Sequence, residues 1–366
     1  GASPLYADAR GRTHLHEMQA GGMLTRADPD NGLPWALTDA AEGMVAWVTP
    51  EGEFEVARPG LTLRTVGRLY RYLTCRGDSM TQGVGSSSLT AILPGIDAAP
   101  GAGYPRELQR LLLADGLPVT VINRGSASAM ALDIAARTVG GYGAAAQFGA
   151  VGLAGGTYAL QAMTNASPLL TPSRATQHQR GRLGEIAGTL YRDNSPADWQ
   201  SNRRAYYSFT PDGGQRALEV SADPINPRRV YQWHPEPIHP HQPAIIWIGR
   251  NNPGEPAQTV TALRAMLSDL PPEVPRLVIG VLAATTESWG NGRETIEAHN
   301  RAIAEVAGRA FLDPNDVLGR DPDGSIRADG TPRPAYMSDD LHCNDAGYNV
   351  LAATFLARIQ SERWFL

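Results

Sequence analysis

Ser79 is the first residue whose setting suits catalysis. It completes the segment Gly77-Asp78-Ser79, directly after a predicted strand over residues 69–74. A serine hydroxyl is a weak nucleophile unless a base removes its proton and donors stabilise the negative charge that develops. A tight turn from a strand into a helix would present the hydroxyl at the sheet edge and aim backbone N–H groups at the same point. Because Gly-Asp-Ser also occurs in ordinary loops, the triplet needs partners elsewhere in the chain.

The segment Ser338-Asp339-Asp340-Leu341-His342 contains the partners that such a serine needs. His342 could take the serine proton, and a carboxylate on the same loop could hold its imidazole in the correct tautomer. Asp339, three residues before the histidine, is the favoured carboxylate, and Asp340 is the alternative. Taken alone, the segment would more often be a surface Asp–His pair or a helix cap.

Asn251 supplies a third candidate group. It lies in Gly249-Arg250-Asn251-Asn252, at the end of the apolar run 245–248. An asparagine amide there could donate to an oxyanion, a contribution of roughly 3 kcal/mol in comparable enzymes, although an ordinary turn would also explain the segment. Each of the three segments adjoins an α/β element at the edge where open parallel sheets hold their active sites. Together they indicate a catalytic site more strongly than any one of them does alone.

Alternating strands and helices must position these groups. Residues 119–122 predict a second strand after the one at 69–74, and continuous apolar runs at 245–248 and 277–282 are typical of parallel strands covered on both faces. Segments with helical spacing alternate with them, at 104–113, 131–137, 258–267, 293–307 and 346–358. Strand and helix repeated in this way predict an α/β fold with a parallel sheet in a three-layer sandwich.

Residues of about 150–240 interrupt this rhythm. Scattered Tyr, Thr, Pro and Gly, with plausible strands at 205–209 and 217–220, predict a β-rich insertion. Its aromatic side chains could stack on sugar rings or simply pack inside a sheet, and the sequence leaves both explanations open. They are Tyr158, Trp199, Tyr206, Tyr207 and Trp233.

The first sixty residues form a different region. Residues 7–24 and 38–55 share a fixed spacing and alternate in polarity between glycine turns. This pattern predicts a small N-terminal β-repeat region made of hairpins, which seldom bury enough surface alone. We therefore expect two regions: 1–60 with the hairpin repeats, and 61–366 with the α/β domain and its insertion.

Together the catalytic segments resemble the SGNH, or GDSL-like, hydrolase family, over most of residues 67–366 outside the insertion. Ser79 in its Gly-Asp-Ser context matches the first family block, Asn251 the third, and Asp339 with His342 the last. The resemblance implies a flavodoxin-like sheet, an acyl-serine intermediate, and neither a metal nor an organic cofactor. It also implies an oxyanion hole that includes the Ser79 N–H and the Asn251 amide.

The second family block departs from the usual pattern. It normally supplies a glycine whose N–H enters the oxyanion hole, and Asn-Arg-Gly-Ser-Ala-Ser occupies it here, at residues 123–128. Counting from Asn123, the glycine position falls at Ser128, whose backbone N–H could still donate. A serine there would be strained if the block requires a positive φ. Gly125 is the alternative donor.

Composition excludes several classes of function. A net charge of −5 gives no general attraction to nucleic acid, and no apolar run is long enough to span a bilayer. The glycine-rich stretches 83–85 and 140–143 lack the fingerprint of nucleotide-binding loops. Cys75 and Cys343 form no disulfide framework or metal site, and we expect two buried free thiols, although their pairing stays open.

The favoured function is an esterase that removes small acyl groups, acetyl above all, from a carbohydrate. The hairpin repeats look similar to those of bacteriophage tail proteins. That likeness implies a bacterial O-antigen or capsule as substrate, a homotrimer, and an extracellular or virion-associated protein, with no signal peptide visible. A lipase or thioesterase is the alternative within the family. A non-catalytic, glycan-binding tail protein is the alternative from another class, favoured only by the departure at Ser128.

Overall fold

A computed structural model of the chain describes residues 5–7, 13–15, 23–25, 36–39, 43–48, 53–56, 64–68, 70, 72–89, 101–138, 147–154, 157–162, 166–169, 176–193, 196, 206–213, 218, 230–236 and 242–365. The chain divides into two compact units, one of residues 1–70 with 362–366 and one of residues 71–361.

The first unit contains short antiparallel strands. β1 (Leu5–Ala7) pairs with β2 (Thr13–Leu15). Five further strands form a second sheet in chain order: β3 (Met23–Thr25), β4 (Ala36–Asp39), β5 (Gly43–Val48), β6 (Glu53–Val56) and β7 (Arg64–Arg68). The division at residue 60 between hairpin repeats and α/β domain stays a prediction.

A five-stranded parallel sheet is the centre of the second unit. Its strands are β8 (Tyr72–Gly77), β9 (Thr120–Gly125), β16 (Ala244–Trp247), β17 (Arg276–Ile279) and β18 (Phe311–Leu312). They lie in the order β9-β8-β16-β17-β18, with every neighbouring pair parallel. This is the flavodoxin-like order, in which the strand sequence reverses between β8 and β16 and opens a crevice at their carboxyl ends.

Helices cover both faces of this sheet and complete the three layers. They are α1 (Ser79–Gln82), α2 (Gly103–Ala114), α3 (Ala131–Thr138), α4 (Pro256–Ser268), α5 (Arg293–Ala307), α6 (Pro314–Leu318) and α7 (Asp345–Ser361), with 3-10 turns at Gly308–Ala310 and Pro334–Tyr336. On one face, the Tyr104 ring of α2 packs 5.8 Å from Trp247 and 5.1 Å from Phe355 of α7. On the other face, α3, α4 and α5 share one apolar cluster with Ile246 and Val278.

The insertion folds as a closed barrel of antiparallel strands. The barrel order is β10-β11-β14-β13-β12-β15. Its strands are β10 (Gln147–Ala154), β11 (Thr157–Ala162), β12 (Gln177–Leu183), β13 (Ile186–Arg192), β14 (Tyr207–Pro211) and β15 (Val230–Pro235). Closure pairs the edge strands with each other and removes unpaired backbone groups. The predicted β-rich insertion is therefore confirmed, while most of the strand predicted at 217–220 lies outside the described residues.

Most of the aromatic residues proposed for sugar binding are part of the barrel core. Tyr158, Tyr207 and Trp233 are at most 4% exposed, because alternate residues of each strand point inward. Of these aromatic residues, Tyr206 is exposed, and Trp199 lies outside the described residues. The sugar-binding interpretation of the three buried rings is wrong, since side-chain packing explains them.

Hydrogen bonds fasten the barrel to α3. The Gln179 side chain donates to the Arg137 carbonyl at 2.9 Å, and Arg137 Nε donates to the Pro168 carbonyl at 2.8 Å. The barrel residues Leu190 and Phe209 belong to the same apolar cluster as α3 and α4. The insertion thus extends the core on one face of the sheet.

Both cysteines are the buried free thiols that the sequence predicts. None of the described helices is long and apolar enough to cross a membrane. Cys75 and Cys343 are both free and buried, and burial raises the pKa of each thiol, that of Cys75 to about 12.

Candidate active site

The turn from β8 into α1 places Ser79 at the carboxyl edge of the sheet. Only glycine fits at Gly77, because a Cβ there would collide with the Thr81 side chain and lie 2.5 Å from the Trp247 carbonyl. Asp78 is the N-cap of α1 and accepts the Met80 N–H at 3.0 Å. Ser79 is the first residue of the helix, where a backbone N–H has no acceptor within the helix. The Ser79 hydroxyl and the Ser79 backbone N–H therefore both lie at the carboxyl edge of the sheet.

The histidine loop, residues 337–343, is closed by its own hydrogen bonds. Met337 and Cys343 form an antiparallel bridge, and the Ser338 N–H donates to the His342 carbonyl at 2.8 Å. Asp339 Oδ1 accepts the N–H groups of Leu341 at 2.7 Å and His342 at 2.6 Å. The loop then enters α7, and its short span fixes the Asp339 carboxylate against the imidazole.

The structure brings Ser79, His342 and Asp339 into one hydrogen-bonded array. His342 Nε2 lies 3.0 Å from Ser79 Oγ, and His342 Nδ1 lies 2.9 Å from Asp339 Oδ2. The ionised carboxylate favours the tautomer that carries its proton on Nδ1, so Nε2 is left to accept the serine proton. Burial raises the pKa of Asp339, but the hydrogen bonds from the His342 N–H, its imidazole and the Leu341 N–H outweigh it and lower that pKa. The carboxylate therefore stays ionised at neutral pH.

Asp340, the alternative carboxylate, faces away from this array. Its Oδ1 accepts the Thr285 hydroxyl at 2.7 Å, and its carbonyl accepts the Thr285 N–H at 2.9 Å. Asp339, and not Asp340, is the carboxylate that accepts a hydrogen bond from the imidazole. The geometry therefore favours Asp339 over Asp340 as the catalytic carboxylate.

Asn251 and Ser128 lie on two loops that are tied together. Asn251 Nδ2 donates to the Ala129 carbonyl at 2.9 Å, next to Ser128. An amide nitrogen carries two protons, so a second one remains to donate to an oxyanion. The Ala127 N–H donates to the Gln82 side chain at 2.7 Å, which holds the same loop against α1. The sequence analysis did not predict this role of Gln82 in holding the Ser128 loop. The only sequence feature that points to it is its position three residues after Ser79.

Ser128 adopts the left-handed backbone conformation that the second family block suggests, with φ at +62°. Gly125 is not the alternative donor, because its N–H donates to Asn123 Oδ1 at 2.9 Å. Gly125 instead lets β9 approach α1, since a Cβ there would collide with the backbone of Gln82. The structure thus favours Ser128 over Gly125 at this position.

A partly buried ion pair lies beside Asn251 and was also missed from the sequence. Arg250 binds Glu287 through two hydrogen bonds of 2.8 and 3.0 Å, and its side chain is 10% exposed. Burial raises the pKa of Glu287, but Arg250 and the Ala284 N–H outweigh it and lower that pKa. Glu287 thus carries the negative charge that neutralises Arg250.

Part of the site lies in a stretch that is similar to a known family. Residues 176–350 match the model of the GDSL-like Lipase/Acylhydrolase family, a stretch that includes Asn251, Asp339 and His342 but begins after Ser79. No curated protein sequence matches the chain. Within the described ranges, no three His, Cys, Asp or Glu residues are arranged to hold a metal ion.

Several solved structures resemble the chain at low identity. A variant of Axe2, an acetyl xylan esterase from Geobacillus stearothermophilus, is 16% identical at a TM-score of 0.40, over 79% of this chain and 94% of that one. A family 3 carbohydrate esterase from Clostridium thermocellum is 14% identical at 0.34, over 79% and 95%. A possible lipase from Chitinophaga pinensis is 12% identical at 0.36, over 80% and 99%. Similarity at this level carries no inference about substrate.

We expect Ser128→Gly to stabilise the protein without loss of activity. A non-glycine residue in the left-handed region costs roughly 1–2 kcal/mol, partly offset by the greater unfolded-state entropy of glycine. The free energy of unfolding, measured in urea, should rise by up to about 1 kcal/mol, and kcat should be retained because the N–H remains. Ser128→Ala is the control, since it removes the hydroxyl but keeps the strain. Equal stability of the two variants would contradict the strain argument.

We expect Asp78→Asn to change the pH dependence of stability. Burial raises the pKa of Asp78 from 3.8 to about 6, with weaker opposing effects from the Met80 N–H, His342 and Arg250. The native state therefore holds this proton more tightly than the unfolded state, and stability falls as pH rises from about 4 to 6, by roughly 3 kcal/mol in total.

Urea unfolding at pH 4 and pH 7 measures this effect. Asp78→Asn should match wild type at pH 4 and be more stable at pH 7. Glu305→Gln, at an exposed position of α5, serves as the control and should show the same difference from wild type at both pH values. An advantage of Asp78→Asn that is equal at pH 4 and pH 7 would rule out titration of Asp78 as the cause.

Proposed function

We propose that this chain is an SGNH-type serine esterase that removes small acyl groups, acetyl above all, from a carbohydrate. The match of residues 176–350 to the GDSL-like Lipase/Acylhydrolase model supports the family. The observation that carries the esterase chemistry is the Ser79–His342–Asp339 array, with its 3.0 and 2.9 Å hydrogen bonds.

The reaction proceeds in two halves through an acyl-serine. Ser79 Oγ attacks the ester carbonyl while His342 Nε2 takes its proton, and the carbonyl oxygen becomes an oxyanion. Donors at Ser79 N–H, Ser128 N–H and Asn251 Nδ2 stabilise that charge. The tetrahedral intermediate collapses, and His342 gives the proton to the departing alcohol oxygen. Water then repeats the sequence on the acyl-serine, releasing the acid and restoring Ser79.

An exposed tryptophan on the loop after β17 supports a sugar as the alcohol part of the ester. Trp289 is 45% exposed, although its backbone N–H is fixed by the Asp329 carbonyl at 3.0 Å. Arg293 lies over the indole ring at 5.3 Å, and Gly330 leaves room for the ring edge, where a Cβ would lie 2.7 Å from Nε1. A supported ring that remains nearly half exposed suits stacking against a pyranose.

The position of Trp289 strengthens this assignment. It lies on the loop after β17, four residues beyond Thr285, which bonds to Asp340 in the histidine loop. Carboxyl-terminal loops of parallel strands are where α/β enzymes bind their ligands. Tyr206, the exposed aromatic of the insertion, instead adjoins β14 of the barrel.

The finer proposal concerns a bacterial surface polysaccharide. The short antiparallel strands between residues 5 and 68 support a likeness to the β-repeats that precede enzymatic domains in bacteriophage tail proteins. On this proposal the substrate is an O-acetylated O-antigen or capsule, the protein is a homotrimer, and it acts outside the cell or on the virion. Sedimentation equilibrium on the full chain tests the trimer, and acetate release from purified acetylated polysaccharide tests the substrate.

Hydrolysis of p-nitrophenyl acetate against p-nitrophenyl octanoate tests the small-acyl esterase. We expect acetate turnover to exceed octanoate turnover and to vanish in Ser79→Ala, because the mutant lacks the nucleophile. Faster turnover of octanoate would favour a lipase. Hydrolysis of p-nitrophenyl acetate that persists in Ser79→Ala would contradict the proposed mechanism. No hydrolysis of either ester, together with no acetate release from the polysaccharide, would favour a glycan-binding protein.

We expect Trp289→Ala to raise KM for an acetylated oligosaccharide by about fivefold, because aromatic stacking contributes about 1 kcal/mol. Turnover of p-nitrophenyl acetate should be unchanged, since that substrate has no sugar ring. Tyr206→Ala is the matched control, because Tyr206 is an exposed aromatic that adjoins the barrel, and the variant should leave turnover of both substrates unchanged. A rise in KM with Tyr206→Ala but not with Trp289→Ala would move the sugar site to the barrel.

A further inference from the structure

Residues 282–287, here called the strap, run from the end of β17 across the active-site edge. The strap begins where the sheet ends and touches both loops that carry the reacting groups. One contact is with Asp340 in the histidine loop, and the other is with Arg250 beside Asn251. These two loops are separated by almost ninety residues of sequence, so the strap is a physical link between them.

At the histidine loop, the strap binds through a single residue. The Thr285 N–H donates to the Asp340 carbonyl at 2.9 Å, and its hydroxyl donates to Asp340 Oδ1 at 2.7 Å. Asp340 lies between Asp339 and His342. The two bonds therefore fix both the backbone and the side chain of a residue that separates the base from its carboxylate.

At the Asn251 turn, the strap binds through Glu287 and a carbonyl. Glu287 holds Arg250 in a two-bond ion pair, and Arg250 Nη1 also donates to the Leu282 carbonyl at 3.2 Å. Glu287 Oε2 accepts the Ala284 N–H at 2.8 Å, which folds the strap onto itself. Paired, planar contacts of this kind fix orientation as well as distance.

Two buried asparagines anchor the base of the strap. Asn300 in α5 accepts the Val281 N–H at 2.6 Å, and Asn315 in α6 accepts the Ala283 N–H at 2.8 Å. Both side chains also donate to the Val281 carbonyl, at 3.0 and 2.8 Å. Buried amides that both donate and accept hydrogen bonds make a rigid support. The start of the strap is therefore fixed relative to α5 and α6.

We propose that the strap sets the position of His342 and Asn251 relative to Ser79, with Thr285 and Glu287 as positioning residues. The inference rests on the proposed serine-esterase mechanism. Asp339 is 54% exposed on its side chain, so the histidine loop gains little support from burial at that point. Without the Thr285 hydroxyl, the loop keeps only its backbone bond to the strap, and the base drifts from the nucleophile. Displacements of about 1 Å cost catalysis up to a hundredfold.

The test compares Thr285→Val with Thr285→Ser on p-nitrophenyl acetate. Valine keeps the branched shape and the backbone N–H but loses the hydroxyl, so we expect kcat to fall about tenfold with KM changed less than about twofold. Serine keeps the hydroxyl and should restore most of kcat. Thr286→Val is the control, because this neighbouring side chain is exposed and its hydroxyl makes no hydrogen bond to any described residue.

A double-mutant cycle separates positioning from general destabilisation. If the Thr285 hydroxyl acts through Asp340, Thr285→Val combined with Asp340→Ala should lose no more kcat than the worse single variant. Glu287→Gln should also lower kcat rather than raise KM, because it weakens the hold on the Asn251 turn. Additive losses in the cycle, equal losses in Thr286→Val, or no rescue by serine would each overturn the proposal.

Turnover of p-nitrophenyl acetate by Ser79→Ala, measured in the same experiment, distinguishes failure of the strap proposal from failure of the serine-esterase mechanism. If wild type turns over the ester, Ser79→Ala does not, and Thr285→Val equals wild type, only the strap proposal fails. If Ser79→Ala retains turnover, the serine-esterase mechanism itself fails.

Discussion

The hydrogen bond between His342 Nε2 and Ser79 Oγ, 3.0 Å long, is the contact on which the rest of the structure depends. It joins residues 263 positions apart, and neither residue could reach the other without the parallel sheet. The strand order reverses between β8 and β16, so loops from both sides of the reversal meet at one edge. Ser79 follows β8, Asn251 follows β16, and the histidine loop precedes the helix that packs beside α2.

Polar contacts, more than apolar ones, determine the geometry at this edge. Gln82 and Asn251 hold the Ser128 loop from opposite sides, and Thr285 holds Asp340. Hydrogen bonds are directional, so these contacts fix positions that apolar packing leaves adjustable. The strain at Ser128 is tolerated because the surrounding contacts determine its backbone conformation.

The sequence predicted the sheet and the catalytic groups better than it predicted the residues that hold the catalytic loops in place. Apolar runs and helical spacing predicted α5 at residues 293–307, and family motifs identified Ser79, Asn251, Asp339 and His342. The contact of Thr285 with Asp340 could not be predicted, because it joins two loops of unremarkable composition through tertiary packing. For Trp233 the sequence left sugar stacking and core packing both open, since strand alternation alone does not reveal that a barrel closes around it.

Covalent labelling by a fluorophosphonate, followed by peptide mass spectrometry, tests the central claim most directly. The reagent reacts with an activated serine and mimics the tetrahedral intermediate. The account predicts one adduct per chain, on Ser79, and labelling at least about a hundredfold slower in His342→Ala, because the base is absent. An adduct on another residue, or Ser79 labelled equally fast in His342→Ala, would contradict it.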